Sequence, residues 1–263
     1  FPFPHEPDPP AIPMTLVRCR ACGFVQLAET VDDDSMYRQY WYRSGINETM
    51  RAELADIVRA AVSEVGGLKP DDRVMDIGAN DGTLLSFVPR CALRIAYEPA
   101  CNLITDLASH ADVIINDFFG VVVPVSETSV PSEQRARPVQ VVPSQARMAW
   151  ESHSIKIIIS AAMFYDLEDP RSFVAEIDRL LTDEGVWVVQ LQDLAQQVET
   201  TAFDNCCFEH RGYYSLQTFS QILNGFDLHV IHAERRAING GSLRIVVQRR
   251  DQPVRPLVSV LLR

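Results

Sequence analysis

Glu209 and His210 stand side by side in AFDNCCFEHRGYYSL, residues 202–216. An imidazole titrates near neutrality without strong perturbation, which makes His210 a candidate general base. The adjacent carboxylate of Glu209 can orient a substrate hydroxyl or favour the charged imidazolium. Tyrosine hydroxyls can donate to a developing oxyanion. Tyr214, with Tyr213 beside it, is the nearest such group, and Tyr42 lies with Tyr40 in YWYRSG, residues 40–45. A base, an orienting acid and oxyanion donors suit removal of a proton from a carbon next to a ketone. The product of that step is an enolate, a carbon nucleophile.

A second set of residues concerns a cofactor. RVMDIG runs into ANDG, giving Asp76-Ile77-Gly78-Ala79-Asn80-Asp81-Gly82. In a doubly wound sheet, ligands bind outside the carboxyl ends of the strands, where the strand order reverses. Gly78 lets backbone approach a ligand, and Gly82 lets the following helix pack on its strand. The next strand ends in Glu98-Pro99, and an acid about 20 residues past such glycines can hold ribose hydroxyls. The third ends in Asn116-Asp117-Phe118-Phe119, a carboxylate for an exocyclic amine followed by rings that stack. Ser160, near the end of a later strand, joins this set. A pyrophosphate would want G-x-G-x-x-G at a helix N-terminus. The acids Asp76 and Asp81 would repel one. They favour a cofactor bearing an ammonium and a sulfonium, namely S-adenosylmethionine.

The elements that must position these groups alternate along the chain. Residues 46–65 carry Met50, Leu54, Ile57, Val58, Ala61 and Val65 at helical spacing. Strands are expected at 73–78, 93–99, 112–119, 154–162 and 185–192, with helices opening at 81, 101 and 170. Two late strands, 226–235 and 242–250, suit an edge hairpin. This order predicts an α/β fold: a Rossmann-like, mostly parallel sheet with an antiparallel edge. Residues 121–150 break the rhythm and read as an insertion loop. The expected organisation is an N-terminal extended segment at 1–45, a main domain at 46–250 and a tail at 251–263.

Composition narrows the field. The chain has 263 residues, 47% hydrophobic and 22% charged, with a net charge of −11. No basic stripe recommends a nucleic acid as partner. No apolar run reaches the roughly 18 residues needed to span a membrane, and FPFPHEPDPP lacks the pattern of a signal peptide. Six cysteines without a scaffold spacing point to a reducing, cytoplasmic setting.

With these residues in view, the chain resembles a class I S-adenosylmethionine-dependent methyltransferase. It is more closely similar to the sugar C-methyltransferase family, which acts on nucleotide-linked keto-deoxysugars. The segments that carry the resemblance are LVRCRACGFVQL, YWYRSGINETMR, VMDIGANDGTLLS, YEP, NDFF, FDNCCFEHRGYYSL and INGGSLRIVV. It implies cofactor contacts at Gly78, Asn80, Glu98 and Asp117, a catalytic pair in Glu209 and His210, and a small-molecule substrate. The chain departs from the family in having Phe208 and Cys207 before that pair and Asp166 where many members carry histidine. Those changes leave open a catalytically weakened partner subunit, or an O- or N-methyltransferase. Cys19-x-x-Cys22-Gly23 resembles one knuckle of the family's zinc ribbon. A structural zinc takes four ligands, so Cys19 and Cys22 supply half a site, with His5 a speculative third. The family's further C-terminal α/β domain is expected to be missing, as the chain stops at Arg263.

Overall fold

Short apolar runs at the N-terminus pair first. The computed structural model describes residues 11–120, 139–142 and 150–249. Strand β1 (Leu16–Arg18) and strand β2 (Val25–Leu27) form a hairpin whose turn carries Cys19 and Cys22. One helical turn, α1 (Asp33–Tyr37), is capped by Asp32, whose carboxylate accepts from the Ser35 amide at 3.0 Å. Helix α2 (Glu48–Glu64) starts at Asn47, whose side chain accepts from the Met50 amide. Its apolar face is the one expected from spacing: Met50, Leu54, Ile57, Val58 and Ala61 are all buried.

The remaining elements follow as β3 (Arg73–Ile77), α3 (Thr83–Ser86), β4 (Leu93–Tyr97), α4 (Ile104–Leu107), β5 (Val113–Ile115), β6 (Gln140–Val142), β7 (Ile155–Ala161) and α5 (Pro170–Leu180). Then come β8 (Leu181–Gln192), α6 (Leu194–Thr200), β9 (Gly212–Tyr213), α7 (Leu216–Ile222), β10 (His229–Arg236) and β11 (Ser242–Gln248). The large sheet runs β10-β11-β8-β7-β3-β4-β5-β6. Strands from β6 to β8 pair in parallel, and β11 is antiparallel to both of its neighbours. The chain therefore winds outward from β3 to β6, then returns across β3 to begin β7. That reversal places a crevice at the carboxyl ends of β3 and β7.

Alternation along the central strands sorts two cores. Met75, Ile158, Trp187 and Val189 pack on one face against Phe173 and Ile177 of α5 and Phe219 of α7. Val74, Ile157, Ile159 and Val188 pack on the other against α2 and α3. Helix α5 begins where the sequence placed it: Asp169 accepts from the amides of Arg171 and Ser172, and Pro170 fills the first turn, where it loses no hydrogen bond.

Some expectations need correction. The helix expected from residue 81 is a single turn at Thr83–Ser86, and that expected from residue 101 opens there as a 3-10 turn, Cys101–Leu103, before one α-helical turn at Ile104–Leu107. Within the 121–150 insertion, Gln140–Val142 is an eighth strand parallel to β5. A run of three residues is too short for periodicity to reveal. Residues 121–138 and 143–149 of that insertion, His5, and the tail 251–263 lie outside the described residues.

Helix α2 is also fastened to the antiparallel edge by charge. Arg244 of β11, 2% exposed, reaches Glu53 at 2.6 Å, Asp56 at 2.8 Å and Glu234 at 3.3 Å. Arg236 of β10 meets Glu53 and Asp56 at 2.9 Å each.

Candidate active site

The crevice opens into a cavity of about 850 Å³. Its floor is the turn after β3. Gly78 has φ of +76° there, and a Cβ would lie 3.2 and 3.3 Å from the Met163 side chain. The Gly78 and Ala79 amides both donate to the Tyr97 carbonyl, tying the turn to β4. Glu98 lines the cavity and braces the turn: its Oε2 accepts from the Asn80 amide at 2.7 Å and its Oε1 from the Ala100 amide at 2.8 Å. Burial raises its carboxyl to about 6 against those two bonds. Each oxygen keeps a lone pair for a further donor, as a ribose diol requires. Gly78→Val would impose about 1–3 kcal/mol of backbone strain and fill the space before Met163. Calorimetry should then show roughly tenfold weaker binding of S-adenosylmethionine; unchanged binding would remove the turn from the cofactor's path.

Gly78, Asn80, Glu98, Pro99, Asp117 and Phe118 line the cavity, whereas five other residues assigned to cofactor contact do not. Asp76 lies beneath the turn at 2% exposure, and burial raises its carboxyl to about 8. That shift disfavours the repelling anion that the sequence reading made of it. Ala79 is buried in the helical-face core. Gly82 opens α3 and donates its amide to the Ala79 carbonyl. Asn116 turns back to donate to the Glu98 and Pro99 carbonyls at 2.8 and 3.2 Å. Ser160 is fully buried, where its hydroxyl accepts from Trp187 Nε1 at 3.1 Å.

A strap from the N-terminal segment forms the roof. The Asn80 side chain accepts from the Ser44 amide at 2.9 Å and donates to the Tyr42 carbonyl at 3.1 Å. Asp81 accepts from the Gly45 amide at 2.7 Å and from Thr83. A Cβ on Gly45 would stand 2.7 Å from the Thr83 hydroxyl, so only glycine lets the strap lie this close. Asp81 is thus a fastener, not a cofactor ligand. Further along the roof, Arg38 pairs with Asp117 at 3.0 Å and lies 4.7 Å over the Phe118 ring.

The far wall carries the candidate chemistry. His210 and Glu209 both line the cavity. His210 Nδ1 lies 2.8 Å from the Asn205 carbonyl oxygen. A carbonyl only accepts, so Nδ1 carries the proton and Nε2 is left with its lone pair. Asn205 is itself fixed, accepting from Gln192 Nε2 at 3.0 Å at the end of β8. Burial lowers the imidazole's pKa against the Asn205 bond, which keeps the ring neutral at physiological pH. Tyr165 packs edge-on against it, centroids 4.4 Å apart. The Glu209 side chain accepts from the Tyr40 hydroxyl at 3.4 Å, and its carbonyl from Tyr37 at 3.3 Å.

Tyr42 also lines the cavity, but Tyr214 does not. Its ring is 1% exposed, packed on Phe164 and Phe24, and its backbone bridges to Asp193 and accepts from the Leu194 amide at the end of β8. A hydroxyl contact from Tyr214 to substrate is thereby withdrawn. Tyr37 and Tyr165 are additions; the aromatic density of the 37–42 segment was the available signal for the first. Cys19 and Cys22 are exposed, free thiols on the hairpin turn. Among the described residues no group of three or more His, Cys, Asp or Glu is placed to hold a metal. Two thiols do not satisfy a structural zinc. Nor is any described helix long and apolar enough to cross a membrane.

Comparison with known proteins accords with this arrangement. A model of the methyltransferase domain matches residues 46–233. The C-methyltransferase NovU of Streptomyces niveus is 22% identical over 253 residues, covering 95% of this chain and 55% of its own length. The chain thus spans about half the length of that curated relative. The fold is similar to that of the CurJ carbon methyltransferase, with TM-score 0.53, 11% identity, and coverage of 79% of this chain and 57% of that one. It is also similar to geranyl diphosphate C-methyltransferase from Streptomyces coelicolor A3(2), solved with S-adenosyl-L-homocysteine: TM-score 0.50, 10% identity, coverage 78% and 79%. With a family match across most of its length and a Rossmann-like sheet ending in this cavity, the chain belongs to the methyltransferase domain family, whose members transfer a methyl group from S-adenosylmethionine.

Proposed function

We propose that the chain catalyses C-methylation of a nucleotide-linked keto-deoxysugar, or a related small ketone, through an enolate. The observation that carries this reading is the tautomer of His210: its Nδ1 proton is committed to the Asn205 carbonyl, leaving Nε2 free as a base in the same cavity as the Gly78 turn. When bound, S-adenosylmethionine supplies an electrophilic methyl group on a positively charged sulfur. The site residues fit that cofactor: Glu98 retains acceptor capacity, Gly78 leaves room, and Phe118 offers a ring beside Asp117.

The chain's own groups then divide the work. His210 Nε2 takes the proton from the carbon next to the carbonyl. Glu209, oriented by Tyr40, accepts from a substrate hydroxyl. The roof of Tyr37, Tyr40 and Tyr42 limits water at the reacting carbon. Carboxylates line the cavity and, among the described residues, no lysine or arginine does. That balance suits a cationic cofactor and leaves a diphosphate without a partner inside. Only the sugar end of a nucleotide-linked substrate belongs in the cavity. The free thiols of Cys19, Cys22, Cys91, Cys101, Cys206 and Cys207 suit a cytoplasmic setting.

The test is incubation of the chain with methyl-labelled S-adenosylmethionine and a nucleotide-linked keto-deoxysugar. Carbon NMR should show the label bonded to ring carbon. Label found on oxygen or nitrogen would overturn the carbon reading.

A further inference from the structure

The mechanism above leaves Asp166 without a task. It ends the short turn Phe164–Asp166 after β7 and lines the cavity, next in sequence to the tyrosine that packs on His210. Its Oδ1 is shut off from solvent and has no hydrogen-bond partner among the described residues.

The charged groups facing it are Asp33 from α1 and Glu209 and Arg211 from the loop before β9. Tyr37 and Tyr40 from the N-terminal segment, Tyr165, Cys207 and Tyr214 complete its titratable surroundings. Burial raises the hydroxyls of these tyrosines and the Cys207 thiol, so all remain neutral near pH 7. Arg211 is the cation in the set; its charge favours an ionised Asp166 but is shared with two other carboxylates. One guanidinium nitrogen lies 2.7 Å from Asp33 and the other 3.5 Å from Glu168. An ionised Asp166 would face two carboxylates, Asp33 and Glu209, against the one guanidinium of Arg211. Burial first, then the charge of Glu209, holds its carboxyl well above the usual carboxylate range. Tyr37 hydrogen-bonds this carboxyl, but its Oδ1 keeps no partner of its own among the described residues, and the protonated form has an O–H to give.

We propose that Asp166 is a catalytic residue whose neutral carboxyl donates a hydrogen bond to the substrate's carbonyl oxygen while His210 removes the neighbouring proton. The proposal rests on the ketone reading above. The C–H bond breaks and its proton goes to His210 Nε2. The electron pair left behind forms the carbon–carbon double bond, and the carbonyl π pair moves onto oxygen, where the Asp166 O–H meets it. No oxidant or further reactant enters. A donor placed at the developing oxyanion is worth about 10²–10³ in rate.

Two measurements test this without the cofactor. Infrared difference spectra of wild type against Asp166→Asn at neutral pH should show a protonated carboxyl band that shifts in D2O. Its absence would overturn the proposal whatever the substrate. NMR then follows deuterium uptake at the carbon next to the ketone of a nucleotide-linked keto-deoxysugar. Asp166→Ala should lose about 10²–10³-fold in exchange. Asp166→Asn, which keeps an N–H donor but cannot ionise, should stay within about tenfold of wild type. Wild-type exchange should also fall as pH rises through the Asp166 pKa, since the donor is lost on ionisation, and Asp166→Asn should lack that fall. Wild-type rates in both variants, or the same alkaline fall in Asp166→Asn, would refute the donor. If wild type itself exchanges nothing, the carbon-acid reading fails and the enolate role with it, while the infrared band still reports the Asp166 proton separately.

Discussion

His210→Ala is expected to lower methyl transfer by about 10²–10⁴-fold, the range for loss of a positioned general base. Affinity for S-adenosylmethionine should stay within about twofold, because a base acts on the transition state. The ring packs on Tyr165 and donates to Asn205, so its loss leaves those contacts open while the turn at Gly78 keeps its own bonds to β4. Single-turnover rates and calorimetry separate the two effects. The pH profile adds a second check. A base must be unprotonated, so activity falls as pH drops through the His210 pKa. Burial sets that value below the usual range, so the acid limb should lie below about pH 6.5, the reference for histidine. Loss of cofactor affinity in step with rate would make His210 a binding residue instead.

The second large effect concerns stability. Arg244→Met should cost about 3–5 kcal/mol, since it leaves the buried Glu53 carboxylate with Arg236 alone and takes one of three guanidiniums from Asp56. For a chain of this size that is a fall in Tm of roughly 6–20 °C. The pH dependence has a definite sign. Burial opposes ionisation of Glu53, but Arg236 and Arg244 overcome it and hold its pKa below the usual value. Asp56 is lowered too, chiefly by its hydrogen bond from Arg244. Depressed carboxylates contribute stability above their unfolded pKa, near 4, and lose it as pH falls through the folded value. The gap between wild type and variant should therefore narrow in acid. Equal stability at neutral pH would mean that the network contributes no net stability.

Much of this was legible in the residues. Strong periodicity gave α2, α5 and the central strands, since each buries one regular face. The order of acids at strand ends gave Gly78, Glu98 and Asp117, because parallel winding delivers successive carboxyl ends to one edge. What failed was direction. Asp76, Ser160 and Asn116 sit at the right heights on their strands, but sequence does not say whether a side chain faces the ligand or the packing beneath it. Tyr214 was misplaced because a single bridge to Asp193, with no periodicity to announce it, fixes its backbone beside the core. Asp81 looked like a cofactor group until the strap it holds was visible.

That strap bears on how the protein can be cut. The family match begins at residue 46, one residue beyond Gly45. An excised fragment starting there would retain His210 and the Gly78 turn. It would forfeit Tyr37, Tyr40 and Tyr42, and it would leave β9 with an open edge where Val25 and Gln26 had paired. The stretch ahead of the recognised boundary thus supplies the aromatic part of the cavity wall. Chimaeras between relatives that keep this pairing must carry residues 16–45 and 203–214 across together.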